Sequence, residues 1–447
     1  LAADWLPALL TGRFAATFHP ARVVFAAQAA EAQEAVPWIV SALAEGRLSA
    51  EDRQAALSAV ARLGTPDHQK LVVEALTAAG TPPARAAALL RDLLEAHARR
   101  RTVPAGDLTR VERLVTSPDD ACAIKAIEAV AAWQVLAADE ELAAVARAGD
   151  RGAAVRMAAV AALGLLPGVA PRATLVGLCG SAAEGEAFPA AAIAALVPRS
   201  PAEAASQAVT FLARARDAKA RDPVFRAFLA AKGGAATLAA ALDAAATRLA
   251  EAAVKDGRQA VSASGRPEPA LEAALTAALA RSPGGATAVS AHAMRGAELE
   301  AFVTLVRTKA DARRGAEVYA RESLKCVSCH RIGDQGGRVG PNLTALGAAS
   351  PLDYVIDSLL EPAKNVKEGY ATVVVQTTDG RVLTGIQVAR SDEELALRDA
   401  TGTEIRIPMA DVDEESVGSS LMPAGLVDPL SRDELADLVR YLSELGS

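Results

Sequence analysis

Between about residue 35 and residue 255, apolar side chains recur at helical spacing and are interrupted by short clusters of turn-forming residues. These clusters combine glycine, proline, serine and aspartate, which end one helix or cap the next. They are Gly64-Thr65-Pro66, Ser117-Pro118-Asp119-Asp120, Gly149-Asp150-Arg151-Gly152, Pro167-Gly168 and Pro198-Arg199-Ser200-Pro201. The alternation of apolar and polar positions that marks a strand does not occur here. The pattern therefore predicts a series of short amphipathic helices.

Some of these predicted helices share an internal repeat. Ile124, Val155 and Phe188 occupy equivalent places, separated by 31 and then 33 residues. An apolar stripe continues three and seven positions after each of them, through Ile127 and Ala131, Ala158 and Ala162, and Ala191 and Ala195. A stripe that recurs every ~30–40 residues is typical of solenoids built from helical pairs.

The segment from Asp150 to Gly164 resembles a HEAT-type repeat. The resemblance implies an N-terminal HEAT-like α-solenoid over residues 1–307, with an irregular helical bundle as the open alternative. Cys122 and Cys179 lie in apolar segments, as small core residues do. A polar stretch at residues 255–269 is expected to be a long loop or a hinge. A solenoid offers a surface to partners, so docking is the expected role of this region.

Strand-like alternation appears only in the C-terminal third. Two turn signals, Asp379-Gly380 and Thr401-Gly402, divide the alternating segments into pairs. We therefore expect a small antiparallel β module at about residues 370–412, inserted into an otherwise mainly α chain. The alternating segments are residues 370–376, 381–388, 395–398 and 403–407.

Composition narrows the class of protein. Of 447 residues, 51% are hydrophobic and only 3% aromatic, and much of the apolar content is alanine, which favours helix. Four cysteines are too few for a disulfide scaffold, and 23% charged residues argue against disorder. Because the net charge is −7 and no dense basic tract occurs, nucleic acid is not an expected partner. No stretch reaches the ~18 apolar residues of a membrane span, so none is expected.

The candidate chemistry is concentrated in Cys326-Val327-Ser328-Cys329-His330. The spacing C-x-x-C-H is the attachment signal of c-type haem. Two thiols on one helical turn can add to the two vinyl groups of a porphyrin, and the adjoining histidine can bind the iron. A thioredoxin-like motif would need a βαβ context, and a zinc site would need a second pair of ligands at matched spacing. Neither is recognisable, so the sequence predicts one covalently attached haem c, with His330 as an iron ligand.

Two predicted helices flank this motif. Asp311 is the expected N-cap of the first, and a capping box of Ser431 and Glu434 starts the last helix of the chain. Gly315 would allow the two helices to cross closely, which resembles the terminal-helix pair of class I cytochromes c. In that family a proline carbonyl after the haem motif accepts the N–H of the proximal histidine. The resemblance implies this role for Pro341, in Gly340-Pro341-Asn342-Leu343, toward His330.

A sixth ligand to the iron is then needed, and the candidates are Met409, Met422, His292 and Met294. Met422 lies in a loop just before the last helix, where class I cytochromes c place their methionine. Met409 lies in a strand-like stretch and is expected to be a packing residue. We therefore expect His330 and Met422 to be the two metal ligands, with an open sixth position as the alternative.

The stretch from Gly315 to Leu445 as a whole resembles the haem-binding domain of Pirellula/Verrucomicrobium type, which often follows HEAT-like repeats in large secreted proteins. The resemblance implies a class I-like cytochrome c domain over residues 308–447 and an extracytoplasmic, for example periplasmic, electron carrier that is not itself an enzyme. It also implies a redox partner protein, of which a dehydrogenase is one candidate. An open-site haem enzyme, a gas or peroxide sensor, and the electron-accepting fragment of a larger dehydrogenase remain the alternatives.

Overall fold

The computed structural model describes residues 20–181, 185–281 and 294–446. The ligand candidate His292 therefore lies outside the described residues. The chain divides into two compact units, Leu1–Leu178 and Cys179–Ser447. It is mainly helical with a small antiparallel sheet, as the sequence predicts. No helix in the described ranges is long and apolar enough to cross a membrane.

Ten of the described α-helices begin in the first unit. They are α1 Pro20–Ala29, α2 Val36–Ala44, α3 Ala50–Leu63, α4 Pro66–Leu76, α5 Pro83–Arg100, α6 Glu112–Val115, α7 Asp120–Ala132, α8 Asp139–Arg147, α9 Ala153–Leu165 and α10 Val169–Cys179.

Twelve further α-helices of the described chain belong to the second unit. They are α11 Ala187–Leu196, α12 Pro201–Arg214, α13 Ala218–Ala230, α14 Gly234–Ala244, α15 Glu251–Ala263, α16 Pro269–Ala280, α17 Ala297–Thr308, α18 Ala312–Tyr319, α19 Cys326–Cys329, α20 Leu346–Ala349, α21 Leu352–Leu360 and α22 Arg432–Ser443. The strands are β1 Arg331–Ile332, β2 Gln335–Gly336, β3 Thr372–Thr377, β4 Val382–Arg390, β5 Glu394–Arg398, β6 Glu404–Pro408 and β7 Val412–Val417.

Local capping explains where the first helices start. Each turn cluster found in the sequence lies between two helices. Thr65 forms a capping box with His68 at the start of α4, and the Asp119 carboxylate accepts the Cys122 N–H at the start of α7. Pro66 occupies the first turn of α4, where its missing N–H has no cost. These signals are local, so the sequence alone is enough to detect them.

Within each unit, most helices up to Ala280 pack against the second helix along the chain. In the first unit α3 packs on α1 and α5, and α7 packs on α5 and α9; in the second unit α13 packs on α11 and α15. The repeated stripe of the sequence falls on α7, α9 and α11. Ile127, Val155 and Phe188 on these helices are buried.

The expected loop at residues 255–269 is wrong, because α15 continues to Ala263. Its buried residues follow helical spacing, and Gly257 is one of them. A β-carbon on Gly257 would come within about 3 Å of Phe225 and Leu275, so this glycine marks close helix packing rather than a turn. The chain turns only at Gly265, whose φ of +68° is in the left-handed region.

The sheet of the β module has five antiparallel strands in the order β6-β5-β4-β3-β7. Four of them correspond to the predicted alternating segments. The fifth, β7, was not predicted and extends the sheet beyond residue 412 to Val417. Its sequence is largely acidic and its side chains after Val412 are exposed, so no apolar alternation reveals it. It pairs with β3 at an edge of the sheet, where charged residues discourage pairing with another chain.

A separate hydrophobic core holds the C-terminal helices together. The crossing of α18 and α22 brings Gly315 so close to the Asp437 backbone carbonyl that a β-carbon would collide with it. The Arg314 guanidinium binds the nearly buried Asp437 carboxylate at 2.7 Å. Phe302 of α17 is fully buried in the same core. This core therefore includes a helix that precedes residue 308.

Candidate functional site

The haem-type motif forms a single helical turn, α19, that begins after Lys325. Lys325 has a φ of +58°, so the chain turns sharply into the motif. Cys326 and Cys329 are both free thiols and both half-buried. Burial raises the pKa of the Cys326 thiol to about 11 and also raises the pKa of Cys329. Both sulfur atoms are therefore protonated at neutral pH.

His330 ends this turn in an extended conformation. Its Nδ1 lies 2.8 Å from the Pro341 carbonyl oxygen. The carbonyl can only accept, so Nδ1 carries the hydrogen and Nε2 keeps its lone pair. Burial lowers the pKa of His330, although the Pro341 carbonyl opposes this shift. The hydrogen bond that the class I resemblance implied is thus present, and it orients a neutral imidazole.

The loop that carries Pro341 is tied to α19 and to the residues just after it through its backbone. The Gly337 N–H donates to the Val327 carbonyl and the Gly340 N–H to the Cys329 carbonyl, each at 2.8 Å. A β-carbon on Gly340 would come within 2.5–2.9 Å of the His330 ring, so only glycine fits beside the imidazole. The motif and the proline loop are therefore joined by backbone hydrogen bonds and close packing.

Tyr319 has a second role that the sequence did not indicate. It packs on Tyr441, with ring centroids 5.7 Å apart. Its hydroxyl also donates to the backbone carbonyl of His330, at 3.1 Å. Burial raises the pKa of this phenol, which keeps it protonated as a donor. The sequence could have indicated such a bond, because a tyrosine that is expected to be buried normally finds a hydrogen-bond partner for its hydroxyl.

The ligand candidates lie in different surroundings. Met422 is half-buried against the C-terminal core, and Cys326 packs against that same core. Met409 packs instead against the buried cluster of the sheet that contains Val375 and Leu395, which agrees with its expected packing role. Met294 is a buried member of the C-terminal core. The Met422 amide donates to the Ser420 hydroxyl at 3.1 Å, which helps to fix the loop before α22.

These residues fit a c-type haem. The donor set is two free thiols on one turn, an imidazole with its Nε2 lone pair available, and the thioether of Met422, which packs against the same core as Cys326. Half-buried apolar side chains of Ile332, Leu343 and Leu346 line the same core and offer apolar contact.

A zinc site fits less well. Among the described residues, no three His, Cys, Asp or Glu side chains gather as a metal ion requires. Cys326, Cys329 and His330 are therefore not arranged as three ligands of one zinc ion.

Comparison with known proteins adds no family assignment. No protein-family model matches this chain, and no curated protein matches it.

Proposed function

We propose that this chain is an extracytoplasmic c-type cytochrome that carries single electrons. One haem c would be bound through Cys326 and Cys329, with His330 and Met422 as ligands to its iron. When bound, the haem supplies the electron-carrying couple; a methionine ligand favours ferrous iron and raises the potential. In this proposal the chain is a carrier rather than an enzyme.

The observation that carries the proposal is the His330–Pro341 hydrogen bond beside two free thiols on one turn. The bond fixes the tautomer and the direction of the imidazole before any ligand arrives. The Tyr319 hydroxyl donates a further hydrogen bond to the backbone carbonyl of the same histidine. A merely structural pair of cysteines would not need this arrangement around the following histidine.

The helical region would serve as a HEAT-like docking surface for the redox partner, for which a dehydrogenase is one candidate. Packing between alternate helices within each unit supports a solenoid. Extracytoplasmic location follows from the proposed haem, because c-type attachment takes place outside the cytoplasm.

The test is covalent attachment in the full chain, exported to the periplasm of a host that matures c-type cytochromes. We expect haem to stay on the polypeptide during denaturing electrophoresis, because thioether bonds survive unfolding. Cys326→Ala combined with Cys329→Ala should abolish that signal.

The matched control is Cys122→Ala combined with Cys179→Ala. These two buried cysteines lie in helices, and their replacement should leave the haem signal unchanged. Full haem retention in the Cys326 and Cys329 double variant, or no attached haem in the unmutated protein, contradicts the proposal.

A further inference from the structure

The loop that carries Met422 is held at both ends by a turn of the helical region. The Ser419 N–H donates to the Gly265 carbonyl at 2.5 Å. The Ala424 N–H donates to the Ser262 hydroxyl oxygen. Ser262 lies in the last turn of α15 and Gly265 follows its end. The two bonds therefore bracket Met422, three residues before it and two residues after it.

At Gly265 the turn leaves room only for glycine, because of both its backbone conformation and its close neighbours. Its φ is +68°, and a β-carbon there would come within 2.8 Å of the Thr372 side chain and 3.3 Å of Leu421. Its carbonyl accepts a second hydrogen bond, from the Thr372 hydroxyl at 2.8 Å. Thr372 is fully buried and also bonds the Ser419 carbonyl through its backbone N–H, at 3.0 Å. Turn, strand β3 and methionine loop thus meet in one hydrogen-bonded junction.

A second contact anchors the β module to the helical region independently. The Lys232 N–H donates to the Gly380 carbonyl at 3.1 Å, and its ammonium lies 3.0 Å from the Asp413 carboxylate. Ala231 and Arg381 form an isolated antiparallel bridge. Because α13 already anchors the module, loss of one bond at α15 would not detach it.

Val427 and Leu430, toward the end of the loop, are buried in the C-terminal core, and within the loop the Met422 N–H donates to the Ser420 hydroxyl. Between β7 and α22 the chain contains neither helix nor strand. A methionine ligand binds only when its sulfur is held where the iron can reach it, so the outside contacts of the loop matter.

We propose that the Ser262–Gly265 turn is a positioning element for Met422, and that the helical region thereby sets how firmly the methionine binds the iron. This inference rests on the proposed function. Ser262 and Gly265 act through the loop backbone, because their hydrogen bonds reach Ser419 and Ala424 and not Met422 itself. The consequence is that the proposed docking region is linked to the electron-carrying site by two defined hydrogen bonds.

The test is Ser262→Ala in the full haem-loaded protein, which removes the acceptor of the Ala424 N–H. A hydrogen bond of ordinary strength shifts an equilibrium about fivefold. We therefore expect the ratio of methionine-bound to methionine-free ferric protein to fall about fivefold. It is measured by the near-infrared sulfur-to-iron band during mild heating. The potential should fall, and carbon monoxide should bind the ferrous protein faster.

Two variants serve as controls. Ser262→Thr keeps the hydroxyl and should restore the wild-type values. Ser264→Ala deletes the same group two residues away, where the hydroxyl bonds only Val261 and Arg266 of its own turn. It should change none of the three readouts. Where Ser262→Ala lowers the yield of folded protein, Thr372→Val removes the second donor to Gly265 and is measured in the same way.

The inference is overturned when Ser262→Ala and Thr372→Val both leave the band, the potential and the carbon monoxide rate unchanged, or when Ser264→Ala changes them equally. Failure of the proposed function looks different, because the unmutated protein then lacks the sulfur-to-iron band. In that case, hydrogen exchange of the Ala424 amide tests whether the Ser262–Gly265 turn holds the Met422 loop. Faster exchange in Ser262→Ala but not in Ser264→Ala supports it, and unchanged exchange overturns it.

Discussion

The helical region up to Ala280 consists of packed helices, whereas the C-terminal region from Met294 onward combines helices with the five-stranded sheet, and the polar contacts of the two regions differ in sequence separation. In the helical region, Arg100 donates to the Leu63 carbonyl from 37 residues away, and Arg221 bonds Asp256 across 35 residues. In the C-terminal region, Asp437 bonds Arg314 across 123 residues and the Asp311 N–H across 126. These contacts in the helical region join segments that are close in sequence, whereas those in the C-terminal region join α18 to α22 at the end of the chain.

This difference has a physical consequence for folding. Contacts between segments that are close in sequence cost little loop-closure entropy. The α18–α22 crossing costs more, because it closes a loop of chain that contains the whole β module. We therefore expect the helical region to form first. The C-terminal core should be more sensitive to single substitutions, because its helices α18 and α22 meet only after a long loop has closed. The following predictions test this contrast, from the largest expected effect to the smallest.

Phe302→Ala should show that the C-terminal core reaches back before residue 308. Phe302 is fully buried among the C-terminal helices, and removal of a buried phenylalanine costs about 3–5 kcal/mol of unfolding free energy. Phe25→Ala is the control, because that ring is 73% exposed and its loss should cost less than about 0.5 kcal/mol. Urea unfolding followed by haem absorbance and circular dichroism measures both. Equal effects would contradict the assignment of Phe302 to the core.

Met422→Ala and Met409→Ala compare a methionine of the C-terminal core with one of the sheet. Loss of a thioether ligand should lower the potential by on the order of 100 mV, a fraction of the ~0.8 V range that axial ligands span. We expect Met422→Ala to remove the sulfur-to-iron band and to admit carbon monoxide, and Met409→Ala to do neither. An unmutated protein that lacks the band and binds carbon monoxide readily would favour the open-site enzyme or sensor.

Gly315→Ala tests the closest backbone approach in the C-terminal core. The added β-carbon would collide with the Asp437 carbonyl, so we expect a loss of about 1–3 kcal/mol in unfolding free energy. Gly177→Ala is the matched control, since that glycine is also inside a helix but has no atom within 4 Å of the added carbon. There the better helix propensity of alanine should stabilise by about 0.8–1 kcal/mol. A stabilising Gly315→Ala would contradict the tight crossing.

Glu434→Gln tests the capping box of α22 through its pH dependence. Hydrogen bonds from the Ser431 N–H and from Arg321 lower the pKa of Glu434 from 4.5 to about 2. Because the folded protein has the lower pKa, the carboxylate stabilises it fully above pH 4.5, and this contribution disappears as the pH falls toward 2. The difference between wild type and Glu434→Gln in urea midpoint should therefore shrink over that range. A difference independent of pH would contradict the ionic part of the cap.

Several features could be predicted from the sequence because their causes are local. The Asp311 cap, the Ser431–Glu434 box and the four alternating strands all depend on residues within a few positions of each other. The motif at Cys326 is local in the same sense, since one helical turn carries both thiols.

Other features escaped the sequence because distant segments decide them. Strand β7 carries no apolar alternation and exists through its pairing with β3. Gly257 resembles a turn residue, yet Phe225 and Leu275 pack against it inside a helix. The residues of β7 could form a strand or a loop, and those around Gly257 a helix or a turn. Contact with the partner segment decides which of the two structures forms.

The candidate site shows the same division. The sequence by itself determined which atoms are available there: two thiols, an imidazole, a proline carbonyl and a nearby thioether. Only the tertiary structure decided that the Tyr319 hydroxyl meets the His330 carbonyl, and that Ser262 in the last turn of α15 holds the Met422 loop across 162 residues of chain. A hydrogen bond depends on distance and angle in space, and neither is encoded by the spacing of two residues so far apart.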